Sequence, residues 1–185
     1  MLQLFTDTSA NLPVALTKQH HITVVPFSYT VDGKETDYPD DVDFDGAAFY
    51  GAMRRDAVVK TSMVNPDLMA NYFERALSQG DDVLYVGMSG GISGTAHAAS
   101  LAVEELKEEF PERKVASIDT YAASLGEGLL VVEASRMLEN GASFDEIVEK
   151  ISQRRHVMCQ YFTVDDLAYL CLLYTSDAAD DLTRV

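Results

Sequence analysis

The chain of 185 residues carries 14 Lys and Arg against 30 Asp and Glu, a formal net charge of −16. That acidity excludes nucleic acid and anionic membrane surfaces as partners, because the protein's own field repels both. Hydrophobic residues make up 47%, enough for one sizeable core, while no apolar run is long enough for membrane insertion and no charged, then apolar, leader opens the chain. The expected location is cytoplasmic. Cys159 and Cys171 have the spacing of neither a metal site nor a redox pair, so free thiols in the interior are expected and no metal centre or cofactor is called for.

In chain order, residues 2–5 read as a short apolar strand running into the polar loop Thr6, Asp7, Thr8, Ser9, Ala10, Asn11. Asn11 is placed to cap a helix that opens at Leu12 and Pro13 and ends near His20 and His21, a histidine pair read as solvated rather than metal-bound. Residues 22–25 and 27–31 are β-branched runs, and Asp32-Gly33 is a hairpin turn before residues 34–36. The acidic stretch 37–45 lacks the glycine and terminal glutamate of a calcium loop; it reads as a solvated loop with an aspartate at the start of the next helix.

Lys60, Thr61 and Ser62 precede Asn65-Pro66, which opens another helix. The hydroxyl pair suits either a capping turn or a ligand contact. Residues 83–87 form a buried strand, and residues 87–97, Gly-Met-Ser-Gly-Gly-Ile-Ser-Gly-Thr-Ala-His, lead from it into a long amphipathic helix. Such a strand-to-helix turn lies at the carboxyl edge of an open α/β sheet, where ligands bind. Ser93 or Thr95 would cap the helix, and the glycines would let backbone N–H groups approach an anion such as a carboxylate or phosphate. Protein charge opposes an anionic ligand only weakly, since salt screens dispersed surface carboxylates over about 8 Å.

Beyond Pro111, residues 115–118 make a strand ending at Asp119-Thr120, and a helix follows from Ser124 to about Glu139, with Gly126 and Gly128 as close-packing positions. Ser143 with Glu146 three residues on is a capping box for the next helix. Residues 158–164 read as a final strand, and Asp165-Asp166-Leu167 as a turn or short helix. Strands alternating with helices imply an α/β fold, a mainly parallel sheet with helices on both faces.

Several pieces in this order resemble the DegV family: residues 5–13 (Phe-Thr-Asp-Thr-Ser-Ala-Asn-Leu-Pro), Thr61-Ser62, residues 89–95 (Ser-Gly-Gly-Ile-Ser-Gly-Thr), Ile118-Asp119-Thr120 with residues 124–128 (Ser-Leu-Gly-Glu-Gly), and Val164-Asp165-Asp166-Leu167. The resemblance implies a bacterial lipid-binding protein holding one long-chain fatty acid, a carrier rather than an enzyme, whose carboxylate is presented to a fatty acid kinase partner. It implies Thr61 and Ser93 as the hydroxyls on the carboxylate, with Ser62, Gly94 and the loop Asp7, Thr8 and Ser9 as neighbours. It covers residues 1 to about 170 as the DegV-like N-terminal lipid-binding domain. In the family a Gly-Gly-Arg turn and a second α/β domain follow. Residues 171–185 match neither, so the domain is expected to be incomplete and the tail not native to the fold.

A different function is also legible. Gly87-Met88-Ser89-Gly90-Gly91 fits the G-x-S-x-G pattern of a serine hydrolase, with Asp119 and His156 in the chain order of an α/β hydrolase triad. Against it, Ser93 fits the helix start better, no HGGG-type oxyanion loop is present, and His156 ends a helix beside Arg154 and Arg155. A phosphate loop of the G-x-x-x-x-G-K-[ST] type is absent.

Overall fold

The computed structural model describes residues 1–37 and 44–163. In chain order the elements are β1 (Leu2–Asp7), α1 (Val14–Gln19), β2 (Ile22–Val25), β3 (Ser28–Val31), β4 (Lys34–Asp37), α2 (Gly46–Met53), β5 (Val59–Thr61), α3 (Pro66–Ser78), β6 (Asp82–Gly87), α4 (Thr95–Glu109), β7 (Val115–Asp119), α5 (Leu125–Glu139) and α6 (Phe144–Arg154), with 3-10 turns at Thr8–Ala10 and Arg155–Val157.

Side chains on successive strand residues point to opposite faces, and here both faces are buried. Phe5, Val83, Tyr85 and Val115 pack on Met69, Phe73 and Leu77 of α3 and on Ala99, Val103 and Leu106 of α4. Leu4, Leu84, Val86 and Ile118 pack on Leu130 and Val131 of α5 and on Ile147 and Ile151 of α6. Burying one such large side chain contributes about 1.5–3 kcal/mol, which explains why the strands read as nearly unbroken apolar runs. The resulting central sheet has the order β2-β1-β6-β7, every neighbour parallel. A second sheet, β4-β3-β5, is antiparallel. The chain is therefore α/β, with a mainly parallel sheet covered on both faces, as the sequence predicts.

Local signals held where both partners are close in sequence. Asn65 Oδ1 accepts the Asp67 N–H at 2.8 Å at the start of α3, and Asp45 Oδ1 accepts the Ala48 N–H at 2.9 Å at the start of α2. The Ser143 N–H donates to Glu146 Oε2 at 2.8 Å, completing the capping box. The Ser143 hydroxyl, then its amide, holds the Glu146 carboxyl below its usual range. Asp32 and Gly33, at φ 51° and 79°, form the left-handed turn that this hairpin requires.

Other expectations are corrected. Asn11 does not cap α1: it closes the 3-10 turn in the left-handed region (φ 50°), its N–H donating to Thr8 O, and Pro13 stands at the α1 N-cap with no side-chain bond. His20 is not solvated. It is 8% exposed, its Nδ1 is 2.6 Å from Glu139 Oε1, and its carbonyl accepts the Ser135 hydroxyl, because α5 packs over the end of α1. Residues 158–163 form no strand: the Gln160 side chain instead pairs with the backbone of Ala123, donating to its carbonyl at 2.6 Å and accepting its N–H at 3.3 Å. Cys159 is a free thiol but exposed rather than interior. Most of the acidic stretch, residues 38–43, and everything from Val164 on, including Cys171 and the tail 171–185, lie outside the described residues.

Candidate functional site at the carboxyl edge of the sheet

From β1 the chain crosses by α1 to β2 on one side, and from β6 it crosses by α4 to β7 on the other. The strand order thus reverses between β1 and β6, and the crevice beyond their carboxyl ends is where open α/β sheets bind ligands. Three loops meet there: residues 7–11 after β1, 87–94 after β6 and 119–124 after β7.

Asp7, 1% exposed, is the hub. Its Oδ1 accepts the Ser9 N–H at 2.8 Å and the Ser9 hydroxyl at 2.5 Å. Its Oδ2 accepts the Tyr85 hydroxyl and the Met88 N–H, the latter at 3.3 Å. Burial, then the neighbouring Asp7 charge, holds the Tyr85 phenol well above its usual range, so it remains a donor. The Ser9 hydroxyl also lies 2.6 Å from Glu127 Oε2, and the Thr6 hydroxyl 3.3 Å from Glu127 Oε1. Thr8 Oγ1 accepts the Phe27 N–H at 3.0 Å, which ties the first loop to the entrance of the antiparallel sheet.

The second loop is bound to the third. The Thr120 hydroxyl donates to Gly87 O at 2.8 Å, the Ser89 N–H to Ala122 O at 2.8 Å, and the Gly90 N–H to Asp119 Oδ2 at 3.0 Å. Within the loop the Gly91 N–H donates to Ser89 Oγ, and the Ile92 and Ser93 N–H groups to Ser89 O. These amides are thus engaged by the protein itself. An anion would meet the side-chain hydroxyls and the first-turn donors of α4, not the amides of Gly90 and Gly91.

Neither Ser93 nor Thr95 is the N-cap of α4, although Ser93 does satisfy the N–H of its first residue. Gly94 is its N-cap with no side-chain bond, and Ser93 Oγ instead accepts the Thr95 N–H at 3.2 Å while contacting Thr95 Oγ1 at 2.9 Å. Thr95 Oγ1 accepts the Val64 N–H at 3.2 Å. That bond brings the end of β5 and the segment after it, Thr61 and Ser62, towards the turn carrying Ser93 and Gly94. Met63 lies against the turn so closely that a Cβ on Gly94 would be 2.8 Å from its sulfur. Thr61 and Ser62 are exposed and Ser93 half-buried. Among the described residues the Thr61 hydroxyl caps no helix; its residue pairs with Tyr29 in the antiparallel sheet, and the Ser62 N–H donates to Ser28 O.

The hydrolase triad does not form. Ser89 Oγ is occupied as acceptor of the Gly91 N–H, and its backbone is not in the strained positive-φ region. Both Asp119 oxygens accept backbone N–H groups, from Gly90 and Tyr121. The His156 ring stacks edge-on against Tyr121, 5.5 Å between centroids, with no bond to Ser89 or Asp119. A groove of about 940 Å³ lies at the opposite, amino edge, lined by Gln3, His20, Ile22, Val24 and Leu138 among others, and so does not adjoin Thr61 and Ser93. Among the described residues no group of His, Cys, Asp and Glu is arranged to hold a metal ion, and no helix is long and apolar enough to cross a membrane.

Sequence reasoning missed Tyr85 and Glu127. Tyr85 reads as one more apolar strand residue, and Glu127 as a spacer between two glycines. The available signal was a carboxylate on the apolar, core-facing side of a helix, three residues into it.

Comparison with known proteins agrees with this architecture. A DegV domain-containing protein of Clostridium perfringens is 37% identical over 169 residues, 90% of this chain and 57% of its own length. A DegV family protein of Thermus thermophilus, whose structure is described as binding fatty acid, superposes with a TM-score of 0.78 at 30% identity, covering 92% of this chain and 59% of that one. A stearic acid-binding protein of Eubacterium ventriosum gives 0.72 at 29% identity, covering 82% and 52%. The chain therefore spans less than two thirds of the length of these relatives. The family model described as "Uncharacterised protein, DegV family" matches residues 1–172, and the chain belongs to that family.

Proposed function

We propose that this protein binds a long-chain fatty acid, holding its carboxylate at the Thr61 and Ser93 hydroxyls and presenting it to a fatty acid kinase partner. The observation that carries the reading is the Val64 N–H to Thr95 Oγ1 bond, which joins the Thr61 segment to the Ser93 turn at the carboxyl edge. Fatty acids bound by the Thermus and Eubacterium relatives support the ligand class. Ser62, Gly94 and the loop Asp7, Thr8 and Ser9 form the surround. Residues 1–170 supply the lipid-binding domain of this reading. The protein acts as a carrier and needs no cofactor beyond its lipid.

Magnitudes divide the labour. Burying about fifteen methylenes gains roughly 12 kcal/mol at about 0.8 kcal/mol each, before entropy costs. Each hydrogen bond to a charged carboxylate adds about 1.5–3 kcal/mol. The tail dominates affinity and the hydroxyls fix where the head lies.

Organic extraction and mass spectrometry of whatever copurifies with the full chain test this, beside a Thr61→Ala, Ser93→Ala double variant. A stoichiometric fatty acid that falls sharply in the double variant is the expected result. A folded wild type without lipid, or a variant that retains it fully, overturns the reading.

A further inference from the structure

The Ser9 hydroxyl lies 2.5 Å from Asp7 Oδ1 and 2.6 Å from Glu127 Oε2. A serine hydroxyl has one hydrogen to donate, so it satisfies one carboxyl oxygen and leaves the other facing a lone pair. Two such short contacts require a second proton, and it must sit on one of the two carboxyl groups. Asp7 is supplied as a carboxylate is, accepting also the Ser9 and Met88 amides and the Tyr85 hydroxyl. Glu127 is 0% exposed, and among the described residues its other oxygen meets only the Thr6 hydroxyl, at 3.3 Å. Among the described residues, no Lys, Arg or His forms an ion pair with either group.

We propose that Glu127 carries a proton and donates it in a hydrogen bond to Ser9 Oγ, and that the chain Glu127, Ser9, Asp7, Met88 positions the turn bearing Ser93. Glu127 is a positioning residue and touches no ligand. The local electrostatics agree: burial, then the Asp7 charge, pushes the Glu127 carboxyl up to about 10. Among the described residues, the titratable groups facing this cluster are Asp7 at the end of β1, Tyr85 on β6 and Asp119 at the end of β7, none of them cationic. A neutral Glu127 leaves the floor of the crevice with one fewer negative charge, which favours an anionic headgroup above it. Only this last consequence, and the role of Ser93, rest on the fatty-acid reading.

The test uses the full chain with Glu127→Gln, whose amide N–H replaces the donor without titrating, Glu127→Leu, which has no donor, and Ser9→Ala, which removes the bridge without altering the α5 core. Infrared spectroscopy at neutral pH should show the C=O stretch of a buried protonated acid in wild type and not in Glu127→Gln. Amide exchange at Met88 should match wild type in Glu127→Gln and be about tenfold faster in Glu127→Leu and Ser9→Ala, with Leu84 in the middle of β6 unchanged. No protonated-acid band, or Met88 protected as in wild type in both donor-free variants, overturns the proposal. So does Glu127→Gln exchanging as fast as Glu127→Leu. If wild type carries no fatty acid while these results hold, the ligand reading fails and the positioning stands.

Discussion

A Cβ on Gly87 would fall 2.1 Å from the Tyr85 hydroxyl oxygen and 2.2 Å from the ring carbon that bears it. The phenol lies along its own strand, over a residue on the same face two positions on, and that path takes the hydroxyl to Asp7. Gly87→Ala must push the ring aside. The expected loss is about 1–3 kcal/mol of unfolding free energy, the usual cost of overpacking, read from urea titration. Tyr85→Phe should then cost less in the Gly87→Ala background than in wild type, because the hydroxyl has already left Asp7. Strictly additive losses would show that the two residues are not coupled in this way.

Gly128 sets two effects against each other. In an exposed helix interior, glycine to alanine gains about 1 kcal/mol. Here the added Cβ would be 2.7 Å from the Ala10 carbonyl oxygen and 3.0 Å from Leu12 Cδ2, and the backbone oxygen cannot step away. Contact wins, so Gly128→Ala should lower the unfolding free energy and the melting temperature. An increase in either would mean that α5 slides to accommodate the methyl group.

Glu127 makes stability depend on pH with a sign opposite to that of a salt-bridged carboxylate. Its carboxyl rises from an ordinary 4.5 to about 10 on folding, so between those values the folded chain binds more protons than the unfolded one. Stability from this group is fully present below pH 4.5 and is lost as pH rises through the window, by up to about 1.4 kcal/mol per pH unit. Glu127→Gln removes the slope. Its stability relative to wild type should therefore climb as pH is raised across the neutral and mildly alkaline range, in paired urea titrations. Asp81 and Glu146, whose carboxyls are lowered, lose their contributions as pH falls, equally in both proteins. Parallel curves would show that Glu127 ionises in the folded chain.

For Ser93→Ala, the expected loss of fatty acid affinity is about tenfold, the scale of one hydrogen bond to a charged group. Under the proposed function, acyl-phosphate formation with a fatty acid kinase should fall much further, since the headgroup would lose its fixed position while the tail stayed buried. Equilibrium titration and a phosphorylation assay on the same variant separate the two. Unchanged phosphorylation would remove Ser93 from the carboxylate site.

The central sheet was legible because its signal is local: apolar runs at residues 83–87 and 115–118 and the helical periodicity after Thr95 fix the elements without long-range information. Caps at Asn65 and Ser143 were legible for the same reason, since donor and acceptor lie within three residues. The misses share a different cause. His20 finds Glu139, Ser9 finds Glu127, and Gln160 finds the backbone of Ala123, in each case across a large stretch of chain. Periodicity says that a position is buried, not which polar group waits there. Asn11 illustrates the remaining case: its residue type suits a helix cap and a left-handed turn equally, and Asp7, by taking the Ser9 amide, decides for the turn.

The central sheet and the antiparallel sheet share no ladder among the described residues. Thr61 ends a strand of one, and Ser93 belongs to a turn that leaves the other. The two hydroxyls thus ride on separate ladders, joined by the Val64 amide on the Thr95 hydroxyl and by the Phe27 amide on the Thr8 hydroxyl. Neither of these bonds is a rung of β2-β1-β6-β7. The spacing of the two hydroxyls is therefore set by side-chain contacts between the sheets and not by a shared backbone ladder.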